Sequence, residues 1–115
     1  SVMRYHMQGS GAVASVSVVV DGQERPSLYR WYRITDAAVR TGHSDDYASI
    51  AEVIMARFSS GMHGAANAPP DLILIDGGRG QLHSALASLQ RAGMGSVPCV
   101  ALSKQREECW AAFSP

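Results

Sequence analysis

The sequence predicts a single α/β domain in which a mixed β-sheet packs against helices, and three observations lead to this prediction. A valine-rich segment, residues 13–20, and an aromatic segment, residues 28–34, flank the turn residues Asp21-Gly22, which is typical of an antiparallel hairpin. From residue 44 onward, apolar side chains recur with the 3.6-residue period of a helix. Two later apolar runs separated by a second helical pattern predict parallel strands joined by a crossover helix.

Strand and helix patterns alternate along the rest of the chain. Residues 2–7 form a weak strand pattern, and residues 44–58 form a helix that Ser44 can cap, with Asp45 and Asp46 in its first turn. Residues 59–70 are rich in glycine and alanine and predict a loop. A helix from about Gln81 to near Gly93 separates the two apolar strands, and a final helix is predicted to begin near Lys104.

Length, composition and charge favour a single globular domain and give no indication of a strongly basic protein, a cysteine-bound metal site or a membrane span. The 115 residues are enough for one domain with a core of its own, and a zero formal net charge means that any polyanion must be held by a local basic patch. Cys99 and Cys109 lack metal-ligand spacing, which indicates reduced thiols in a cytoplasmic protein. No apolar stretch is long enough to span a membrane, and no signal peptide is visible. Both termini interrupt apolar patterns, so we expect a fragment of a longer protein.

Asp76 is the best candidate for chemistry. It ends the unbroken aliphatic run of residues 72–75 and is followed at once by glycines, so we expect it at the carboxyl end of a strand buried on both faces. Ligands of open α/β sheets bind at that edge, and a carboxylate there needs compensation by a cation, hydrogen bonds or water. A purely structural role remains an equal alternative at this point.

A divalent metal fits these residues better than a nucleotide does. Gly78-Arg79-Gly80 offers G-x-G, but His83 occupies the third glycine position and a carboxylate before the turn would repel a pyrophosphate. Hard cations such as Mg²⁺ accept one or two carboxylates plus substrate phosphates. Asp76 would be one ligand and the pair Asp45-Asp46 could supply another, unless that pair only stabilises its helix terminus.

Several residues could contact a phosphate-bearing ligand. Residues 29–33 alternate aromatic and basic groups, as in a stacking surface for nucleic acid, although an ordinary strand with one packed and one wet face is slightly favoured. Arg79 and Lys104 each follow a buried strand and therefore converge on the edge that carries Asp76. His6 could be a metal ligand, a phosphate contact or a structural strand histidine, and the pattern favours the last.

With these motifs in hand, the chain resembles the RNase H-like endonuclease domain of UvrC, the excinuclease subunit of bacterial nucleotide excision repair. The most specific match is the segment of residues 70–82, which includes Leu-Ile-Leu-Ile-Asp-Gly-Gly-Arg-Gly-Gln-Leu. Supporting matches cover residues 13–15, 29–34, 44–48 and 101–108, in the same order along the chain.

The resemblance implies an RNase H-like mixed sheet flanked by helices over residues 1–115, and metal-dependent incision of the damaged DNA strand 5′ of a lesion. It also implies Mg²⁺ or Mn²⁺ as cofactor, damaged DNA and the helicase-like subunit UvrB as partners, and Asp46 and Asp76 as catalytic metal ligands. The residues we predict to contact DNA are His6, Arg30, Arg33, Arg79 and Lys104.

The chain departs from the family pattern at two places. Met3 occupies the position of a family aspartate on the first strand, and methionine cannot replace a hard oxygen ligand. The sequence also ends before the position of the family's histidine. We therefore expect weak or absent nicking by this stretch alone. The alternative reading is a non-catalytic module that binds DNA or a repair partner through the basic and aromatic strand and Lys104.

Overall fold

The computed structural model describes residues 1–10, 13–33, 46–58, 69–103 and 108–112, without the side chains of residues 10, 46–48 and 108–112. Within these ranges, strands form one sheet, and two helices and a short 3₁₀ turn, Pro26–Leu28, complete the architecture. The helices are α1 (Asp46–Phe58) and α2 (Arg79–Arg91). The strands are β1 (Met3–Ser10), β2 (Val13–Val20), β3 (Gln23–Glu24), β4 (Arg30–Arg33), β5 (Leu72–Asp76), β6 (Cys99–Ser103) and β7 (Glu108–Ala112).

The sheet is mixed, as the sequence predicts. Its strand order is β3-β2-β1-β5-β6-β7, and β4 also pairs with β2. The pairs of β1 with β2 and of β2 with β4 are antiparallel, whereas β5 is parallel to both β1 and β6. The weakly patterned first strand is therefore central to the sheet. Its position follows from Tyr5 and Met7, which are almost fully buried.

The hydrophobic core lies between one face of the sheet and the two helices. Ile73 and Ile75 of β5 are fully buried there, and Ile54 of α1 and Ala85 of α2 pack into the same core. The other face, which we call the open face, carries the alternate residues of each strand. On β1, β2 and β5 the described side chains of this face are Arg4, His6, Gln8, Val13, Ser15, Ser17, Val19, Leu72, Leu74 and Asp76.

The structure differs from the expectation that the strand before Asp76 is buried on both faces. Leu72, Leu74 and Asp76 are only half-buried, and both helices in the described ranges pack on the opposite face. An aliphatic run carries no signal for which of its faces a helix covers, because both sets of alternate residues are apolar.

The prediction of a final helix near Lys104 is wrong for the part of that segment that the structure describes. Residues 108–112 form β7, which pairs with β6 in antiparallel register from Cys99↔Ala112 to Ser103↔Glu108. A short segment gains little from helix formation on its own, whereas a neighbouring strand offers hydrogen bonds along its whole length. Lys104 itself lies outside the described residues, as do Ser44 and Asp45.

Cys99 is a packing residue rather than a reactive thiol. Its side chain is fully buried in the core, and burial raises the pKa of the thiol to about 12. The thiol therefore stays protonated at physiological pH. Cys99 forms no disulfide, as the sequence predicts for it, whereas the side chain of Cys109 is outside the described part of the structure. In the same described part of the chain, no helix has the length and apolar character needed to cross a membrane.

The amino end of α1 packs directly on the carboxyl end of β1. A Cβ atom added at Gly9 would lie 2.8 Å from the Cβ atom of Ser49, closer than two such atoms can approach. Ser49 is buried in the first turns of α1, three positions after Asp46. Glycine at position 9 therefore permits the close approach that brings the start of α1 to this end of the sheet.

We expect Gly9→Ala to lower the free energy of unfolding by about 1–3 kcal/mol, because β1 and α1 must separate to admit a methyl group. Thermal or denaturant unfolding measures the change. The double variant Gly9→Ala/Ser49→Gly lacks the opposing Cβ atom. We therefore expect its free energy of unfolding to be higher than the sum of the two single effects predicts. Ser49→Ala keeps that atom and is the matched control, so equal recovery with Ser49→Ala contradicts the explanation.

Candidate active site

Asp76 lies at the carboxyl end of β5, on the open face, next to Gln8 of β1. The parallel register pairs Met7 with Ile75, so Gln8 and Asp76 are the next neighbours across the two strands. The Gln8 Nε2 atom donates a hydrogen bond to the Asp76 Oδ2 atom over 2.9 Å. Gln8 is exposed and Asp76 is half-buried, so the carboxylate retains access to solvent. No local pattern around Gln8 points to this contact, because Gln8 and Asp76 are 68 positions apart in the chain.

The turn after Asp76 is held from both sides. The Gly77 N–H donates to the carbonyl oxygen of Leu102 over 2.9 Å, and the Gly78 N–H donates to Gln81 Oε1 over 2.9 Å. The Gln81 side chain folds so closely over the turn that a Cβ atom at Gly77 would lie 2.7 Å from Gln81 Cγ. This arrangement fixes the first turn of α2, including the exposed Arg79, directly beyond Asp76.

Asp46 is brought to the same end of the sheet by its helix. It is the first residue of α1. Ser49 of the same helix contacts Gly9, the residue that follows Gln8 on β1, so α1 begins at this end of the sheet. The Asp46 side chain is among those that the structure does not describe. Among the described residues, no group of three or more histidine, cysteine, aspartate or glutamate side chains could hold a metal ion.

Met3 lies at the opposite end of β1. Asp71 fixes it there, because the Met3 N–H donates to Asp71 Oδ2 over 2.7 Å and the Asp71 N–H donates to the Met3 carbonyl oxygen over 2.7 Å. Met3 and Gln8 are five positions apart, which corresponds to about 17 Å along an extended strand. The Met3 side chain packs against the core. Gln8, rather than Met3, is therefore the β1 residue adjacent to Asp76.

The other residues predicted to contact DNA are distributed over both faces. His6 is half-buried on the open face, two positions before Gln8, and Arg33 of β4 is exposed on the same face through its pairing with Val13. Arg30 pairs with the core residue Val16 and therefore lies on the helix side of β4. Its Nη1 atom donates to the backbone oxygen atoms of Ser27 and Tyr29, over 3.1 and 2.7 Å. Arg30 thus stabilises the turn that precedes its own strand.

The mixed sheet with its antiparallel amino-terminal strands, and the carboxylate at the end of a central parallel strand, define an α/β domain of the RNase H-like class. The protein-family model that describes the UvrC RNase H endonuclease domain matches residues 5–113 of this chain. The chain therefore belongs to the UvrC RNase H endonuclease domain family, as the resemblance in the sequence indicated.

Curated relatives support this assignment. The chain is 47% identical over 106 residues to the UvrABC system protein C of Synechocystis sp., covering 90% of this chain and 17% of that protein. It is 44% identical over 103 residues to the UvrABC system protein C of Gloeobacter violaceus, covering 90% of this chain and 16% of that protein. The chain thus spans roughly one sixth of the length of these relatives.

A solved structure of T. thermophilus RuvC in complex with a Holliday junction substrate is also similar in outline. It aligns with a TM-score of 0.49 and 16% sequence identity, covering 92% of this chain and 67% of that chain. The fold assignment rests on the observed strand order and on the family model.

Proposed function

We propose that this chain is the metal-dependent DNA endonuclease domain of an excinuclease, which incises the damaged strand 5′ of a lesion. The observation that carries the proposal is the placement of Asp76 at the carboxyl end of β5, where it is accessible to solvent and lies at the same end of the sheet as the start of α1 on the opposite face. The family membership supplies the reaction class. Damaged DNA and the UvrB subunit are the partners that this function requires, and the cytoplasm is the compartment in which it takes place.

The described residues fit Mg²⁺ or Mn²⁺ as a site with few protein ligands. Asp76 offers a half-buried carboxylate with access to solvent, and the amide nitrogen of the neighbouring Gln8 donates to only one of its two oxygen atoms. Asp46 is the proposed second carboxylate. Mg²⁺ commonly keeps several water molecules and takes further ligands from substrate phosphates, so a three-residue protein cage is not required.

The residues of the chain have separate tasks in this proposal. A bound divalent cation would activate water and neutralise charge on the phosphate and the leaving oxygen. Gln8 holds the Asp76 carboxylate in one orientation through its 2.9 Å hydrogen bond, which limits the reorganisation needed on binding. Arg79, exposed at the first residue of α2, provides positive charge near the phosphate backbone.

A Mn²⁺ titration followed by thermal unfolding tests the proposal. We expect Mn²⁺ at a concentration 100 times its Kd to raise the free energy of unfolding by about 2.7 kcal/mol, and Asp76→Asn to abolish this gain. Asp71→Asn is the matched control, because Asp71 precedes the same strand at its other end and its substituted amide can still accept from Met3. Absence of metal-dependent stabilisation in the unsubstituted chain, or equal loss in both variants, contradicts the proposed site.

A non-catalytic DNA-binding module is the second candidate function. It is favoured by Trp31 of β4, a tryptophan that is 76% exposed beside the basic residue Arg33, and by the distance of Met3 from Asp76. DNA binding that weakens with salt but is indifferent to Mn²⁺ supports this module. Robust nicking of plasmid DNA by the isolated chain, lost in Asp76→Ala, excludes it.

A further inference from the structure

Trp31 is the most exposed large apolar side chain in the described part of the molecule. Its relative exposure is 76%, compared with 48% for Val2 and 45% for Val13. Exposure of so large an aromatic ring is unfavourable in water, because burial of an aromatic side chain is one of the larger apolar contributions available to a protein. Trp31 therefore marks a surface on which a planar apolar group could bind.

Trp31 and Asp76 lie at the two ends of one cross-strand row on the open face. Trp31 pairs with Ser15, Ser15 pairs with Gln8, and Gln8 donates a hydrogen bond to Asp76. Paired residues of neighbouring strands project from the same face of a sheet. Three strand spacings separate the ends of this row, which corresponds to about 14 Å. The residues between the ends, Ser15 and Gln8, are polar and at least partly exposed.

The surroundings of Trp31 are apolar and positively charged. Val13 lies on the same face as Trp31, two residue pairs further along β2 than Ser15. Its partner Arg33 is exposed on that face. A nucleic acid strand presents an apolar base face together with an anionic backbone, and this combination matches an aromatic ring beside an arginine.

We propose that Trp31 stacks an unpaired nucleobase of a DNA strand that runs along this row toward Asp76. The proposal deepens the proposed function and rests on it for the identity of the polymer. At 3.4 Å for each stacked base step, about 14 Å corresponds to roughly four steps between the stacked base and the phosphate at Asp76. Trp31 is accordingly a positioning residue that sets the register of the strand at the site.

Tryptophan fluorescence provides a direct test. In a Trp110→Phe background, Trp31 is the only tryptophan, and titration with an oligothymidylate of about 12 nucleotides should quench its emission. An oligonucleotide of the same length with an abasic run should quench it much less, because the phosphates remain but the bases are gone. We expect Trp31→Ala, with Trp110 retained, to raise the Kd for oligothymidylate about tenfold, as measured by anisotropy of labelled DNA.

Three further variants separate stacking from other effects. Trp31→Phe retains an aromatic ring and should recover most of the affinity, whereas Val2→Ala removes exposed apolar surface away from the row and should leave the Kd unchanged. Arg33→Gln should weaken binding to all sequences and reduce the salt slope by about one, since it removes a phosphate contact. Melting curves of each variant establish that the fold is retained.

The outcomes also distinguish this proposal from the proposed endonuclease function. Asp76→Asn should abolish metal-dependent stabilisation while leaving the Trp31 quench intact. An unchanged Kd in Trp31→Ala overturns the stacking proposal even if nicking is observed. Equal quenching by fully paired duplex DNA overturns the requirement for an unpaired base. Loss of self-association in Trp31→Ala, with no change in DNA binding, would instead identify Trp31 as a contact between two copies of the chain.

Discussion

Gln8→Glu is expected to raise the affinity for Mn²⁺ by about tenfold, whereas Met3→Asp is expected to leave it unchanged. Glutamate has the shape of glutamine, so at position 8 it places a second carboxylate beside Asp76 on the neighbouring strand. Two adjacent carboxylates repel each other, and a divalent cation between them relieves that repulsion. The affinity gain follows from the register of β1 against β5, which puts position 8 at the site.

Met3→Asp introduces the aspartate that the sequence resemblance implies for that position, but at the end of β1 that lies away from Asp76. The methionine packs against the core about 17 Å from Gln8, so aspartate there loses apolar contacts and places a charge in a partly buried position. We expect Met3→Asp to lower the free energy of unfolding by about 2 kcal/mol.

Isothermal titration with Mn²⁺ measures the affinity of both variants, and chemical denaturation without metal measures their stability. In the absence of metal, Gln8→Glu should be modestly less stable than the unsubstituted chain, because the repulsion is then unrelieved. If Met3→Asp binds Mn²⁺ more tightly than the unsubstituted chain, or if Gln8→Glu does not, then β1 pairs with β5 in another register.

Arg57→Met is expected to raise the free energy of unfolding by about 1–3 kcal/mol. Arg57 lies in the last turn of α1 with only 1% of its surface exposed, and its Nε, Nη1 and Nη2 atoms have no hydrogen-bond partner among the residues that the structure describes. Its guanidinium carbon lies 4.6 Å from the centroid of the Tyr5 ring, which in turn stacks with Phe58 at a centroid distance of 6.1 Å. The cation–π contact and the helix dipole offset only part of the cost of burying this charge.

Methionine fills a similar volume without a charge, so the desolvation cost disappears while most packing contacts remain. Arg57→Lys is the matched control, because it retains the charge but cannot stack as a plane on Tyr5, and it should lower stability. Denaturant unfolding gives both values. A loss of more than 1 kcal/mol in Arg57→Met would show that an anionic group compensates Arg57 in solution.

Local pattern in the sequence was enough to predict most elements of the fold. The hairpin of β2 and β4, the helix that ends at Phe58 and the strand that ends at Asp76 each depend on periodicity or turn residues within a few positions of one another. For β7 the local pattern indicated a helix, and pairing with β6 decided otherwise. A short apolar segment takes its conformation from the neighbour it meets.

The aliphatic run and the glycines after it were enough to predict that Asp76 ends a strand before a turn, and the motifs along the chain were enough to predict the family. The neighbours of Asp76, in contrast, depend on the tertiary structure. The pairing of β1 with β5 joins residues 68 positions apart and places Gln8, not Met3, beside the carboxylate. It also decided that Trp31, Ser15, Gln8 and Asp76 share one row of the open face. Periodicity tells which residues of one strand share a face, whereas register between distant strands depends on packing of the whole core.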